Sequence, residues 1–420
     1  MANEPGDDAV RDQYEAYPYP ERDPADEAKR LIAGSPSHLS EVNHYVFAGR
    51  LDTARPLRAL IAGGGTGDGT VMLAQQLAWA ESPAEIVYLD VSTAARAVAE
   101  ARAAARGLDN IRFVTGSLVD LATLAPGPYD YIDCCGVLHH LAAPQAGINT
   151  LAGALAADGG MGLMLYGALG RTGVYPMQEM LRMIAGGDDD RARIALARRL
   201  YDDLPESNWL RRNAYVGDHL AGGDAGLYDL LLHARDRAYT VPEIAALVAG
   251  AGLAVTGFIE PALYDPASYL TDDGLRDRVA ALPWIERCAF AELLAGSLKR
   301  HVFYAVPAPR AGDAVARPDG PNAVPVLREA DGRALARRLA RGGRIKVALE
   351  GVELSHDMPP LAAAILALVD GRRSLGDIHA ALARERRLDW LAFKGAFDRL
   401  YAALNAVNVM LVARPPRERT

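Results

Sequence analysis

From residue 57 to residue 306, short apolar runs alternate with alanine-rich stretches of helical period. The runs 58–62, 85–90, 110–115, 129–135 and 161–166 have strand length, and 71–80, 94–106 and 146–156 between them read as helices. Strands separated by helices imply parallel βαβ units, and so an α/β sheet covered on both faces. Residues 175–238 break this rhythm with mostly helical sequence and read as an insertion after the fifth strand. Thr240-Val241-Pro242-Glu243 then offers a capping box for a new helix, 253–258 reads as a strand, and 301–306 as the last strand of this unit.

The two ends follow other patterns. Residues 13–20, Gln-Tyr-Glu-Ala-Tyr-Pro-Tyr-Pro, crowd tyrosines around prolines. Proline removes backbone donors and restricts the residue before it, so this stretch predicts no core helix but an arm able to close over a ligand. Short helices are expected at 24–32 and 37–47. Residues 307–325, rich in Pro, Gly, Ala and Asp, read as a linker. Beyond it, 345–349 and 352–354 predict a hairpin around Glu350-Gly351, with helices at 360–369, 375–384 and 390–406 and a closing strand at 409–413. The expected organisation is an arm with short helices over 1–50, a main domain over 51–306, the linker, and a small α+β module over 326–415.

Composition narrows the classes. The chain has 420 residues, half of them hydrophobic, enough for a large core. A net charge of −8 argues against nucleic acid as a partner. The cluster Arg333, Arg337, Arg338, Arg341 and Arg344 is the exception, and it reads as the solvated side of a short helix. The cysteines, with Cys134 and Cys135 adjacent, give neither a disulfide framework nor a metal-ligand spacing. No apolar run reaches the ~20 residues that span a bilayer, and the acidic N-terminus has no apolar signal core. A cytoplasmic protein without a membrane association is expected.

The chemistry is carried by Gly63-Gly64-Gly65-Thr66-Gly67, between the first strand and its helix. A turn free of β-carbons lets a ligand approach the backbone, and the helix start adds oriented N–H groups. Gly63, Gly65 and Gly67 make G-x-G-x-G; no register gives the dinucleotide G-x-G-x-x-G or a phosphate loop. The second strand ends on Asp90, followed by Val91, where a carboxylate can accept both hydroxyls of a ribose. Ser117 and Leu118 follow the third strand and can read a base edge. Gly136-Val137-Leu138-His139-His140-Leu141 follows the fourth. All these strand ends lie on the carboxyl side of the sheet, where ligands of open α/β folds bind.

The order and spacing of these segments resemble the class I S-adenosylmethionine-dependent methyltransferases, with a Rossmann-like fold. The resemblance covers residues 57–166 and, more loosely, extends to 306. It implies a seven-stranded sheet with its last strand antiparallel and S-adenosyl-L-methionine as cofactor. Methionine contacts would lie near Gly63 to Gly67, ribose on Asp90 and adenine near Ser117 and Leu118. Two positions depart from that pattern: Ile61 stands where the family usually carries an acid, and Ser117 where an aspartate is frequent. These departures keep open a cofactor-binding protein without turnover. The "GGG" turn is shared with aminopropyltransferases. Residues 14–20 and 230–240 resemble segments of bacterial methyltransferases related to protein-lysine methyltransferases. Residues 366–378 resemble PqqD-like winged-helix modules, which implies docking of a peptide, a partner protein or a second subunit.

On the acceptor side the expected catalytic residues are His139, His140, Tyr17 and Tyr166, with Tyr14, Tyr19, His44 and Tyr45 as further candidates from the arm. Packing is the competing role for each. His219, Asp224, Asp229, His233 and Asp236 fall within twenty residues, but match no zinc or iron spacing, so no metal is expected. The acceptor is expected to be a small molecule or a protein side chain, ahead of tRNA.

Overall fold

Seven strands form one sheet in a computed structural model that describes residues 7–415 apart from 188, 385 and 386. They are β1 Arg58–Ala62, β2 Glu85–Asp90, β3 Ile111–Thr115, β4 Tyr129–Cys135, β5 Leu155–Tyr166, β6 Leu253–Phe258 and β7 Arg300–Pro307. Their order is β3-β2-β1-β4-β5-β7-β6, and β7 runs antiparallel to both of its neighbours. Strands β1 and β2 carry continuous buried apolar runs because helices cover both faces of the sheet there. Leu60, Val87, Ile132 and Leu163 enter one buried cluster, while Ala59, Ile61, Ile86 and Tyr131 enter another on the opposite face.

The helix following β1 spans Asp68–Trp79 and that following β2 spans Thr93–Ala105; two helices precede β1, Asp7–Ala16 and Leu39–Tyr45. In chain order these are α1 (Asp7–Ala16), α2 (Leu39–Tyr45), α3 (Asp68–Trp79) and α4 (Thr93–Ala105). Ser92 caps α4 by accepting from the Ala95 amide at 3.0 Å. The Thr240–Glu243 capping box forms as expected, opening the helix Val241–Gly250.

The arm departs from its expectation. Residues 13–16 are helical, inside α1, and only the prolines beyond Ala16 end the helix. The first six residues of the expected arm lie outside the described residues. Proline limits the residue before it and its own turn, and Pro18 is too far along to affect Tyr14. The arm is tied down by polar contacts: Glu15 accepts from the Thr93 and Ala94 amides at 2.6 and 3.0 Å, capping α4, and Thr66 Oγ1 donates to the Pro20 carbonyl at 2.7 Å.

The stretch read as a linker is also packed. Ala314 and Ala316 are buried, the amide of Ala48 donates to the Ala314 carbonyl at 2.7 Å, and that of Ala316 to the His44 carbonyl at 2.8 Å. Small apolar side chains between the prolines let this segment lie against α2. Its end passes into β8 (Val324–Leu327), which pairs antiparallel with the closing strand β11 (Met410–Ala413). Between them lie the helix Gly332–Gly342, the hairpin of β9 (Arg344–Leu349) and β10 (Val352–Asp357), and three helices, Ala362–Leu368, Leu375–Ala383 and Trp390–Asn405. The arginines of the first of these helices, Arg333, Arg337, Arg338 and Arg341, are exposed, whereas Ala336 and Leu339 face the module's core.

The module is joined to the main domain through α2. Glu41 is fully buried there and accepts from Ser35 Oγ (2.8 Å), Tyr304 Oη (2.8 Å) and Asn408 Nδ2 (2.5 Å), with Arg328 at 2.8 Å. No helix of the described residues is long and apolar enough to cross a membrane.

Candidate active site

A cavity of about 400 Å³ opens at the carboxyl ends of β1 to β5. One end is walled by Gly63, Gly64, Thr66, Asp90, Val91, Gly116, Ser117 and Leu118. Gly136 and Val137 form its middle. Its far end is Tyr14, His140, Tyr166 and Asp229.

The glycine loop is shaped by packing as well as by ligand access. A Cβ on Gly63 would meet the Val137 side chain at 2.1 Å, and one on Gly64 the Tyr88 ring at 2.2 Å. Gly65 and Gly67 have φ of +50° and +97°, but neither lines the cavity; Gly65 lies under Tyr19 of the arm and Gly67 against Ala99. Their role is to form the turn. Asp90 accepts from the amides of Gly65 (2.7 Å) and Ser92 (2.8 Å), and burial raises its carboxyl above the ordinary range. With one carboxylate at the cavity wall held by N–H donors, and apolar Leu89, Val91, Leu118 and Val137 around it, this end fits a nucleoside.

At the far end, three distant segments meet on one phenol oxygen. Tyr14 Oη lies 3.1 Å from Asp229 Oδ1, 3.2 Å from His233 Nε2 and 3.4 Å from His140 Nε2. Backbone contacts assign the protons. The Arg235 amide donates to His233 Nδ1 at 3.0 Å, so neutral His233 carries its proton on Nε2 and donates it to Tyr14. His140 Nδ1 faces the Arg235 carbonyl at 2.9 Å and must be the donor there, leaving a lone pair on Nε2. Tyr14 and Tyr166 both donate to Asp229, at 3.1 Å each. Burial pushes the Asp229 carboxyl up to about 6 and the His140 imidazole down to about 4, so at neutral pH the first is ionised and the second neutral.

His140, Asp229 and His233 have ligand atoms within 4.8 Å of one another. A cation would need lone pairs on both imidazoles, but His233 turns an N–H toward the centre. The cluster is a hydrogen-bond network built around Tyr14.

The other expected residues separate. His139 is buried beside the cavity rather than in it; its ring stacks on Tyr166 at 3.9 Å between centroids, while the Arg171 guanidinium sits 3.8 Å from that ring. His139 and Arg171 therefore hold Tyr166 in place. Tyr17 does not line the cavity but stacks on Tyr228 at 4.9 Å, so a catalytic role for it is corrected to packing of the arm on the insertion. His44 and Tyr45 face the C-terminal module, bonded to the Val412 amide (3.0 Å) and Asn408 (3.1 Å). His219 packs on Tyr201, Asp224 pairs with Arg198 at 2.5 Å, and Asp236 with Arg171 at 2.8 Å. Asp229 and His233 were not expected to act together with Tyr14. Their four-residue spacing was the available signal, since it places both on one side of a helical turn.

Comparisons with known proteins agree with this fold. Residues 60–161 match a family model described as "Methyltransferase domain". The uncharacterized protein syc1184_c of Synechococcus sp. is 33% identical over 306 residues, covering 70% of each chain. Among solved structures, PKMT2 from Rickettsia typhi superposes with a TM-score of 0.63 at 13% identity, covering 90% of this chain and 75% of that one. The same protein in complex with AdoHcy gives 0.58 at 14% identity, with the same coverage. These two show the fold, and their coverage extends beyond the residues of the domain match. The chain belongs to the family of the Synechococcus protein and carries, at residues 60–161, a Rossmann-like methyltransferase domain whose cofactor is S-adenosylmethionine.

Proposed function

We propose that the protein is an S-adenosylmethionine-dependent methyltransferase acting on an amine, carried by a protein side chain or a small molecule. The cofactor's sulfonium supplies an electrophilic methyl group with its own leaving group, so positioning contributes much of the rate. Gly63, Gly64 and Asp90 would hold the donor, with Ser117 and Leu118 at its base.

The observation that carries the acceptor class is the proton count at the far end of the cavity. Asp229 takes the protons of both phenols, and His140 turns a lone pair inward. What remains for a substrate is a set of acceptors: Tyr14 Oη, Tyr166 Oη and His140 Nε2. An ammonium group brings three N–H donors to such a set, while a hydroxyl brings one. His140 Nε2 then accepts a hydrogen bond from one N–H and orients the nitrogen, whose lone pair attacks the methyl once the ammonium has lost a proton to solvent. The likeness of residues 14–20 and 230–240 to segments of protein-lysine methyltransferase relatives supports the same reading, because those two segments meet at this cluster. So does the name PKMT2 of the structural neighbour, read as a label for that protein.

Two measurements test this reading. Calorimetric titration with S-adenosylmethionine and S-adenosylhomocysteine is expected to show micromolar binding that Asp90→Ala abolishes. Incubation of a cell extract with methyl-tritiated donor is expected to label product in a base-stable form, as N-methyl groups are. Base-labile label would mean an ester acceptor and would overturn the amine reading; binding without product would mean a cofactor-binding protein without turnover.

A further inference from the structure

Four carboxylates line the cavity; one is paired with cations and the other three have neutral donors only. Asp68 is paired with Arg22 and Arg102 at 2.7 Å each, Asp90 takes two backbone amides, and Asp229 takes two phenol protons. The fourth is Asp133 on β4, only 2% exposed. Its donors are the Ser37 hydroxyl and the Cys135 amide, and among the described residues no lysine or arginine pairs with it. A carboxylate removed from water without a cation is costly, and burial pushes this one up to about 7. The surroundings are arranged to leave it accessible from the cavity. Gly69, in the first turn of α3, has no side chain there; a Cβ would stand 3.1 Å from Asp133 Oδ2.

Its position along the sheet indicates what it meets. The order β3-β2-β1-β4 places the adenine residues beyond β3 and the ribose acid at the end of β2. A donor laid across these ends carries its amino-acid part onward over β1 and β4. Asp133 is the register partner of Ile61 on β1. Partners in parallel strands point to the same face, about 4.8 Å apart. The carboxylate that is absent at Ile61 is thus present one strand over.

We propose that Asp133 holds the α-ammonium of the cofactor's methionine moiety, replacing across the strand pair the acid missing at Ile61. The inference rests on the donor-binding reading above. It makes Asp133 a residue that selects for the complete amino-acid tail of the donor.

The test uses the full chain, S-adenosylhomocysteine, and its analogue in which the amino group is replaced by hydrogen. A charge-assisted hydrogen bond of this kind corresponds to roughly a tenfold change in Kd or more. The unaltered protein is expected to bind S-adenosylhomocysteine more tightly than the deaminated analogue by that factor. Asp133→Asn is expected to weaken S-adenosylhomocysteine to the level of the analogue and leave the analogue unchanged. Equal affinity of the unaltered protein for both ligands overturns the proposal without any variant. So does a variant that weakens both ligands alike, since that is a structural effect. If the folded protein binds neither ligand, the donor-binding reading itself fails, and that outcome differs from the other two.

Discussion

Tyr14 in the N-terminal helix donates its phenol proton to Asp229 in the helical insertion across 3.1 Å, joining residues 215 positions apart. Through this bond the arm, the insertion and the loop after β4 form one surface. The consequence is that α1 is part of the site and is already bound to it by Glu15, Gln13 and Tyr14. Tyr14→Phe removes the phenol oxygen and keeps the ring. It is expected to lower kcat by roughly tenfold to a hundredfold and to leave the Kd for S-adenosylhomocysteine within about twofold, because the ring still covers the cavity. Steady-state kinetics with calorimetry separate the two effects.

His140 is expected to position the acceptor nitrogen through its Nε2 lone pair. His140→Gln is expected to reduce kcat by about 10² with the cofactor affinity little changed. His139→Gln removes packing behind Tyr166 and is expected to cost less, roughly tenfold. Reversal of that order would reassign the two histidines.

The pH profile is expected to follow Asp229 rather than a histidine. His140, held down near 4, stays neutral throughout the working range, whereas Asp229, raised to about 6, gains a proton below that value. A protonated Asp229 no longer accepts from both phenols, and their protons turn toward the substrate. Activity is therefore expected to rise through an apparent pKa near 6, and Asp229→Asn is expected to remove that limb along with most of the activity. A limb that persists in the variant would belong to another group.

Asp133 gives a prediction of opposite sign for stability and binding. Its pKa is about 7 in the folded protein against 3.8 for the free group. A raised carboxyl destabilises the fold where it must ionise: the cost is absent below pH ~4 and grows as pH rises toward 7. Asp133→Asn is neutral throughout, so its melting temperature without ligand is expected to exceed that of the unaltered protein at pH 8. The difference should shrink at pH 5 and reverse at saturating S-adenosylmethionine. At pH 8 the gain is on the order of a few kcal/mol at most. Scanning calorimetry at the two pH values, with and without ligand, measures all of these.

The anchorage of the C-terminal module is tested at Arg328. Removing it leaves Glu41 buried with only neutral donors, Ser35, Tyr304 and Asn408. Arg328→Ala is expected to cost about 3 to 5 kcal/mol in urea unfolding, and Glu41→Gln in the same background is expected to recover part of it.

The alternation of strands and helices, the glycine turn and Asp90 were legible because each is written locally. Strand periodicity depends on neighbours two residues apart, a helix on neighbours three and four apart, and the place of Asp90 on the end of a single strand. The C-terminal helices were legible for the same reason, with boundaries within a few residues of those observed. What lay beyond the sequence were relations between segments distant in the chain. Nothing local to Tyr14 shows that Asp229, His140 and His233 surround its oxygen. Nothing local to Tyr17 shows that it turns away to Tyr228. The prolines beside the arm were read as ending helical structure too early, and the alanines between residues 307 and 325 as a linker, because neither reading included the surface on which those residues pack. Asp133 is the clearest case: its strand was evident, but its meaning depends on a register with Ile61 across 72 residues. Local sequence determined the elements, and with them the glycine turn and Asp90 that wall one end of the cavity. Only the tertiary structure decided which polar groups are left facing a ligand, because burial and hydrogen-bond partners are properties of the packed chain.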